Sequence, residues 1–259
     1  MGGITKTYGA GCHPAAAAIR LDDRARSVHA SIYGLLPDQV MSGWDAVGIL
    51  GTDAVRKGTT AAKLSQEDAQ KAFFAATGGT LQAHVDVSPG TESPGAQMEA
   101  KMALLHPVFS CCIQSQFVCR SVPSGGATLV LAPGAYSESS PDATLFNAGR
   151  DFCICTDEGY NHFRGRWRSV EAPRGCLILW LSRTPHGNKL ADVGVDPQRR
   201  VVYISWQSKN LVTDEERRAL RVRKLDAVYS GATTDHWSTQ APKLHRGSHY
   251  SNGKKRTRV

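Results

Sequence analysis

The chain has 259 residues, 41% of them apolar, and a formal net charge of +8, a composition that supports one large domain or two small ones with a sizeable core. Its longest apolar runs, Cys176 to Leu181 and Thr128 to Ala132, fall far short of the roughly 18 residues a membrane span needs, and Met1 to Tyr8 carries no apolar signal core. Seven cysteines, an odd number without CxxC spacing, argue against a disulfide framework or a thiolate zinc site. The expected setting is therefore a reducing intracellular compartment, cytoplasm or nucleus, or association with a virion, with no membrane partner.

In chain order, an N-terminal extension over residues 1–24 precedes a main domain over residues 25–242. Residues 64–78 read as a helix, with Ser65 as N-cap, acids in the first turn and Gly78 and Gly79 as the stop. Strands follow at Leu81 to Val87, Ile113 to Val122, Ala127 to Leu131, Arg168 to Glu171, Cys176 to Leu181 and Val201 to Gln207, each short and bounded by turn formers. Cys153 and Cys155 are two apart, so on a strand both thiols share a face and read as small buried apolar groups. Trp180 and Trp206 fall within strand patterns and read as core. The polar stretch from Pro133 to Arg166 is long for a structureless loop and reads as a lid or binding loop. Thr213-Asp-Glu-Glu216 has the form of a capping box and opens a last helix running toward Ala227.

Short strands separated by irregular loops rather than crossover helices argue for an antiparallel architecture. The expected fold is mainly β with flanking helices around a double-stranded β-helix (jelly-roll, cupin-like) core. The charge is uneven along the chain. Six Lys or Arg and no acid lie in residues 243–259, which leaves +2 for the other 242 residues. Such a segment cannot bury enough apolar surface to order itself and reads as a disordered basic tail, suited to weak contact with nucleic acid or another polyanion, to nuclear import, or to solubility alone.

The chemistry concentrates in a few residues. His84-Val85-Asp86 falls on a predicted strand, where positions i and i+2 project from one face. His186 follows the predicted strand ending at Leu181. Two imidazoles and one carboxylate on one face form the set that suits non-haem Fe(II) and leaves positions open for an oxidant and a co-substrate. On spacing alone a plainer account also stands, in which His84 is a core strand histidine, Asp86 caps the Ser88-Pro89-Gly90 turn and His186 is a polar turn residue.

The neighbourhood of these positions resembles the phytanoyl-CoA dioxygenase family of Fe(II)/2-oxoglutarate-dependent oxygenases, especially its divergent viral and microbial branch. His84-Val-Asp-Val-Ser-Pro89 is similar to the family's metal-binding strand, and Cys112-Ile-Gln-Ser-Gln116 to its Gln-containing strand. Gly125 to Tyr136 is similar to a segment that in the family usually ends Gly-Ser-His, replaced here by Gly134-Ala-Tyr136. The most specific match is Gly175-Cys-Leu-Ile-Leu-Trp-Leu-Ser-Arg-Thr-Pro-His-Gly-Asn188, similar to the second-histidine segment; Leu181 stands there where relatives often have Asp. With Arg199-Arg-Val-Val-Tyr-Ile-Ser-Trp206 and Thr234-Asp-His-Trp237 the resemblance covers about residues 25–240.

The resemblance implies that His84, Asp86 and His186 hold Fe(II) and that Arg199 or Arg200 binds the distal carboxylate of 2-oxoglutarate. Arg199 is preferred because the family Arg is commonly followed by another basic or small residue before the apolar strand, and only one of the two can point inward because adjacent strand residues face opposite ways. It also implies that Gln114 lines the co-substrate or substrate site. The implied activity is that of a dioxygenase using O2, oxidising an unidentified C–H substrate with release of succinate and CO2. The alternative is a jelly-roll structural or virion-associated protein that keeps the residues without turnover. Removal of residues 243–259 is expected to abolish retention on an immobilised polyanion while leaving 2-oxoglutarate decarboxylation unchanged; retention that survives the truncation contradicts the role of the tail.

Overall fold

The structure is a computed structural model, and it describes residues 3–5, 11–50, 83–87, 94–105, 111–135, 144–147, 153–189, 191–192, 194–196, 198–230, 232 and 237–239. The expected helix at 64–78 and the basic tail at 243–259 lie outside the described residues. Eleven strands and five α-helices occur among the described residues. In chain order they are β1 (Gly3–Thr5), α1 (Pro14–Arg20), α2 (Asp23–Ile32), β2 (Val40–Ser42), β3 (Val47–Leu50), β4 (His84–Val85), α3 (Pro94–Leu105), β5 (Ile113–Val118), β6 (Thr128–Leu131), β7 (Cys153–Ile154), α4 (Asp157–His162), β8 (Arg168–Ser169), β9 (Leu177–Leu181), β10 (His186–Lys189), β11 (Arg199–Ser208) and α5 (Asp214–Ser230).

All pairings are antiparallel and form two sheets. The first runs β1-β3-β11-β5-β9, with β2 also on β11; the second runs β7-β4-β10-β6-β8. The chain passes back and forth between them, from β4 to β5, β5 to β6, β8 to β9, β9 to β10 and β10 to β11. This is the double-stranded β-helix, mainly β with flanking helices, and the sheets do not close into a barrel among the described residues.

The two-residue period of β11 decides what lies on each side of the first sheet. Val202, Ile204 and Trp206 pack with Ala16 of α1 and Ala25 and Ala30 of α2, which cover the outer face. Val201 and Tyr203 face inward and pack with Leu129 of β6 and Trp180 of β9, joining the two sheets. The outer face of the second sheet, with Ala83, Val85 and Cys153, is covered by Phe163 and Trp167 around α4. Both Cys153 and Cys155 belong to that buried cluster, and all seven cysteines are free. Residues 133–166 carry β7 and α4, so their described parts are structured rather than a bare loop.

Arg20 locks α1 onto the first sheet. Its buried guanidinium donates to the carbonyls of Tyr203 (2.9 Å), Ala46 (2.9 Å), Asp45 (2.5 Å) and Gly11, and burial pulls its pKa down to about 10 despite the nearby Asp45. A buried cation is tolerable when its donors are satisfied in this way. At the other end of the chain, Thr213 caps α5 as a capping box. The Thr213 N–H donates to Glu216 Oε2 at 2.7 Å and the Glu216 N–H to Thr213 Oγ1 at 3.2 Å. No helix among the described residues is long and apolar enough to cross a membrane.

His29 of α2 is fully buried against the outer face, its Nδ1–H donating to the Ala25 carbonyl at 2.8 Å and its Nε2 lying 3.2 Å from Ser115 Oγ of β5. Burial lowers its pKa, with the Ala25 bond opposing the shift. The unfolded chain therefore takes up a proton near the ordinary histidine value of about 6.5 while the folded chain resists it. Stability is expected to fall as pH drops below that value toward the lower folded pKa. Denaturant midpoints for the wild type and His29→Gln across that window check this; identical pH slopes for both proteins contradict it.

Candidate metal centre

The short β4 owes its position to three neighbours. His84 pairs with His186 of β10 on one side and with Ile154 of β7 on the other. The Asp86 N–H, just past the end of β4, donates to the Ser182 carbonyl at 2.9 Å, which ties the HxD segment to the turn between β9 and β10. That turn is held in its own right. Ser182 Oγ and Arg183 Nε donate to the buried Glu99 of α3 at 2.8 and 2.5 Å, and the Ser182 N–H donates to the Cys112 carbonyl at 2.9 Å.

His186 therefore opens a strand instead of lying within the turn. The expectation of a turn histidine missed this because Pro185 and Gly187 read as turn formers, whereas pairing of Gly187 with Val130 and Asn188 with Leu129 extends the chain. In an antiparallel sheet directly opposed residues point to the same face, so His84 and His186 emerge together on the inner face. Their ring centroids are 4.3 Å apart.

Asp86 completes the cluster. His186 Nε2 lies 3.1 Å from Asp86 Oδ2 and His84 Nε2 lies 3.5 Å from Asp86 Oδ1, and one ligand atom from each residue fits within 4.8 Å of the others. Both imidazoles are buried and the carboxylate is half-buried. His186 donates Nδ1–H to the Thr184 carbonyl at 2.8 Å, which fixes the tautomer that keeps the Nε2 lone pair toward the cluster. Burial, and then the neighbouring His84, push the His186 pKa down, with Asp86 pulling the other way. Trp180 covers the His186 ring at 5.5 Å.

Gln114 of β5 reaches across from the first sheet. Its Nε2 donates to Asp86 Oδ2 at 2.6 Å, so this residue contacts the carboxylate of the cluster. It faces the cluster because Gln114 pairs with Trp180 and Ser205, all on the inner face.

Arg199 and Arg200 separate as neighbours on a strand must. Arg200 is exposed, whereas Arg199 is 3% exposed and shares the inner face with Val201 and Tyr203. Arg199 donates from Nη2 to Gln116 Oε1 at 2.6 Å and from Nη1 to Asn188 Oδ1. Its Nε is buried with no partner, and no carboxylate pairs with it among the described residues. Asn188 is two residues beyond His186 on β10, so Arg199 lies one pleat deeper in the same cleft. Tyr203 stands beside it, and burial pushes that phenol upward. Sequence reasoning did not reach Glu99, Gln116 or Asn188; the lone acid in an otherwise uncharged first two turns of α3 is the one sequence signal for Glu99.

Sequence comparison with protein-family models and with curated proteins finds no match. Among solved structures, the fold is similar to a hypothetical protein, JW0805, from Escherichia coli, with a TM-score of 0.51 at 11% identity over 92% of this chain and 66% of that one. EctD from S. alaskensis in its apo form aligns at a TM-score of 0.44 and 13% identity over 76% of this chain. The epimerase SnoN, in complex with Fe3+, alpha ketoglutarate and nogalamycin RO, aligns at 0.42 and 9% over 74% of this chain. The chain spans 54% of the length of EctD and 58% of SnoN. At these identities the likeness concerns the fold.

Because Gln114 orients the Asp86 carboxylate, Gln114→Ala is expected to weaken divalent-metal affinity about 10- to 100-fold, the usual cost of removing a partner that orients a ligand. Competition titration against a chromogenic chelator checks it; unchanged affinity in the folded variant contradicts the role.

Proposed function

We propose that this protein is an Fe(II)- and 2-oxoglutarate-dependent dioxygenase of the phytanoyl-CoA dioxygenase type. The observation that carries the reading is the joint placement, on one inner face of a jelly roll, of the His84, Asp86 and His186 donors and a buried Arg199 with no anionic partner among the described residues.

The residues fit both groups. Two imidazoles and a carboxylate suit Fe(II) and leave room for further ligands, and donor separations of 3.1 and 3.5 Å match neighbouring ligands about 2 Å from one ion. A buried guanidinium without a counter-ion is costly, and an incoming carboxylate removes that cost while giving the unpartnered Nε an acceptor. When bound, Fe(II) with 2-oxoglutarate and O2 supplies oxidation of a C–H bond, coupled to conversion of the oxo acid into succinate and CO2.

The chain's own part is positional. His84, Asp86 and His186 hold the ion, and Gln114 keeps the Asp86 carboxylate oriented. Gln116 and Asn188 fix the Arg199 guanidinium, whose planar fork binds the distal carboxylate of 2-oxoglutarate. Trp180 and Leu131 exclude water from one side of the cluster. Arg200, exposed on the outer side, takes no part in this arrangement.

Purified protein supplied with Fe(II), O2 and 2-oxoglutarate is expected to release succinate slowly even without substrate. His84→Ala and His186→Ala abolish that release, and Arg199→Ala raises the 2-oxoglutarate concentration required by tenfold or more, whereas Arg200→Ala leaves it unchanged. Succinate release that persists in both histidine variants, or an Arg200→Ala effect as large as that of Arg199→Ala, overturns the assignment.

A further inference from the structure

The sheet that carries His84 and His186 ends in an edge strand, β8, with a second guanidinium at the same level. Strand pairing places Ile154, His84, His186, Leu131 and Arg168 in one row across five strands. Directly paired residues share a face, so Arg168 leaves β8 on the face of the two imidazoles. Its neighbours agree with this alternation. Val170 packs on the inner side with Leu129, Leu131 and Trp180, and Trp167 on the outer side with Phe163 and Ala132. Two strand spacings, about 10 Å, separate Arg168 from His186.

The Arg168 side chain is both anchored and open. Nη1 donates to the carbonyls of Gly165 at 3.0 Å and Trp167 at 2.9 Å, which holds the guanidinium in place. Nε and Nη2, the pair that forms a side-on fork for a carboxylate or phosphate, make no bond among the described residues. The residue is exposed, so that fork is accessible. Arg164 and Arg166 add charge in the same turn, and the next acid along the chain, Glu171, falls on the opposite face by alternation. Arg168 thus differs from Arg20, whose donors are spent on carbonyls, and from Arg199, which is buried one pleat deeper.

We propose that Arg168 is the anion-recognition residue of the site and that the substrate is a small molecule bearing an oxyanion, a carboxylate or a phosphate. Its anionic end sits at the β8 edge, and the end to be oxidised reaches the His84, Asp86 and His186 cluster. The word substrate rests on the oxygenase reading; the anion site itself requires no metal.

Phenylphosphonate and benzoate serve as probes, titrated by calorimetry into the metal-free full chain. Saturable binding of at least one probe is expected, weakened tenfold or more in Arg168→Ala, partly recovered in Arg168→Lys and unchanged in Arg200→Ala; the relative affinities of the two probes tell phosphate from carboxylate. With Co(II) loaded in place of Fe(II), paramagnetic relaxation of the probe's 31P or carboxylate 13C nucleus is expected to place it roughly 10 Å from the metal. Equal affinity in the wild type and Arg168→Ala, binding of neither probe, or a distance typical of direct metal ligation overturns the proposal. Failure of Co(II) uptake at His84 instead removes the oxygenase reading, and the calorimetric comparison still decides the role of Arg168.

Discussion

The pairing of β4 with β10 at His84 and His186 is the contact on which the site depends. It puts two imidazoles 4.3 Å apart in a buried cleft, where burial lowers the pKa of His186, and the bond from the Asp86 N–H to the Ser182 carbonyl adds a carboxylate to the same point. Two imidazoles and a carboxylate whose ligand atoms lie within 4.8 Å of one another form a donor set suited to a cation. The elements around it work to keep the convergence. Glu99 grips the β9–β10 turn, Thr184 fixes the His186 tautomer, and Gln114 supplies an amide donor to the carboxylate from the opposite sheet.

The two buried arginines make the same argument from the other sign of charge. Arg20 spends its donors on four backbone carbonyls and ties helix, sheet and N-terminal segment together. Arg199 makes two bonds to amide oxygens and keeps a buried Nε unsatisfied. One is a structural clamp with its donors satisfied; the other retains an unmet need for an anion, one pleat below the histidines. Alternation along β11 sends Arg199 inward and Arg200 outward, so a single residue of offset separates a buried guanidinium from a solvated charge.

Much of this was legible in the sequence where the signal is local. The HxD spacing on a strand, the Thr213 capping box and the short-strand pattern each depend on residues within a few positions of one another. What escaped depends on partners far away along the chain. β1, β2, β3 and β7 are two to four residues long, too short for periodicity to register, and are held by pairing, β2 and β3 with the long β11, β1 with β3 and β7 with β4. His186 read as a turn residue because Pro185 and Gly187 flank it, and only its pairing with Leu131 and His84 makes it strand. Gln114 was reached through the family resemblance and not through a local pattern, and its bond to Asp86 follows from how two sheets face each other, which no local pattern encodes.

The central claim, that the cluster and Arg199 together form a site for Fe(II) and an oxo acid, is tested most directly by anaerobic titration of the protein with Fe(II) and 2-oxoglutarate, followed in the visible spectrum. Chelation of the metal through both oxygens of the oxo acid gives a weak charge-transfer band, and no substrate is needed to see it. The account predicts that the band forms with the wild type and disappears in His186→Ala; its absence from folded, iron-loaded wild-type protein would contradict the account.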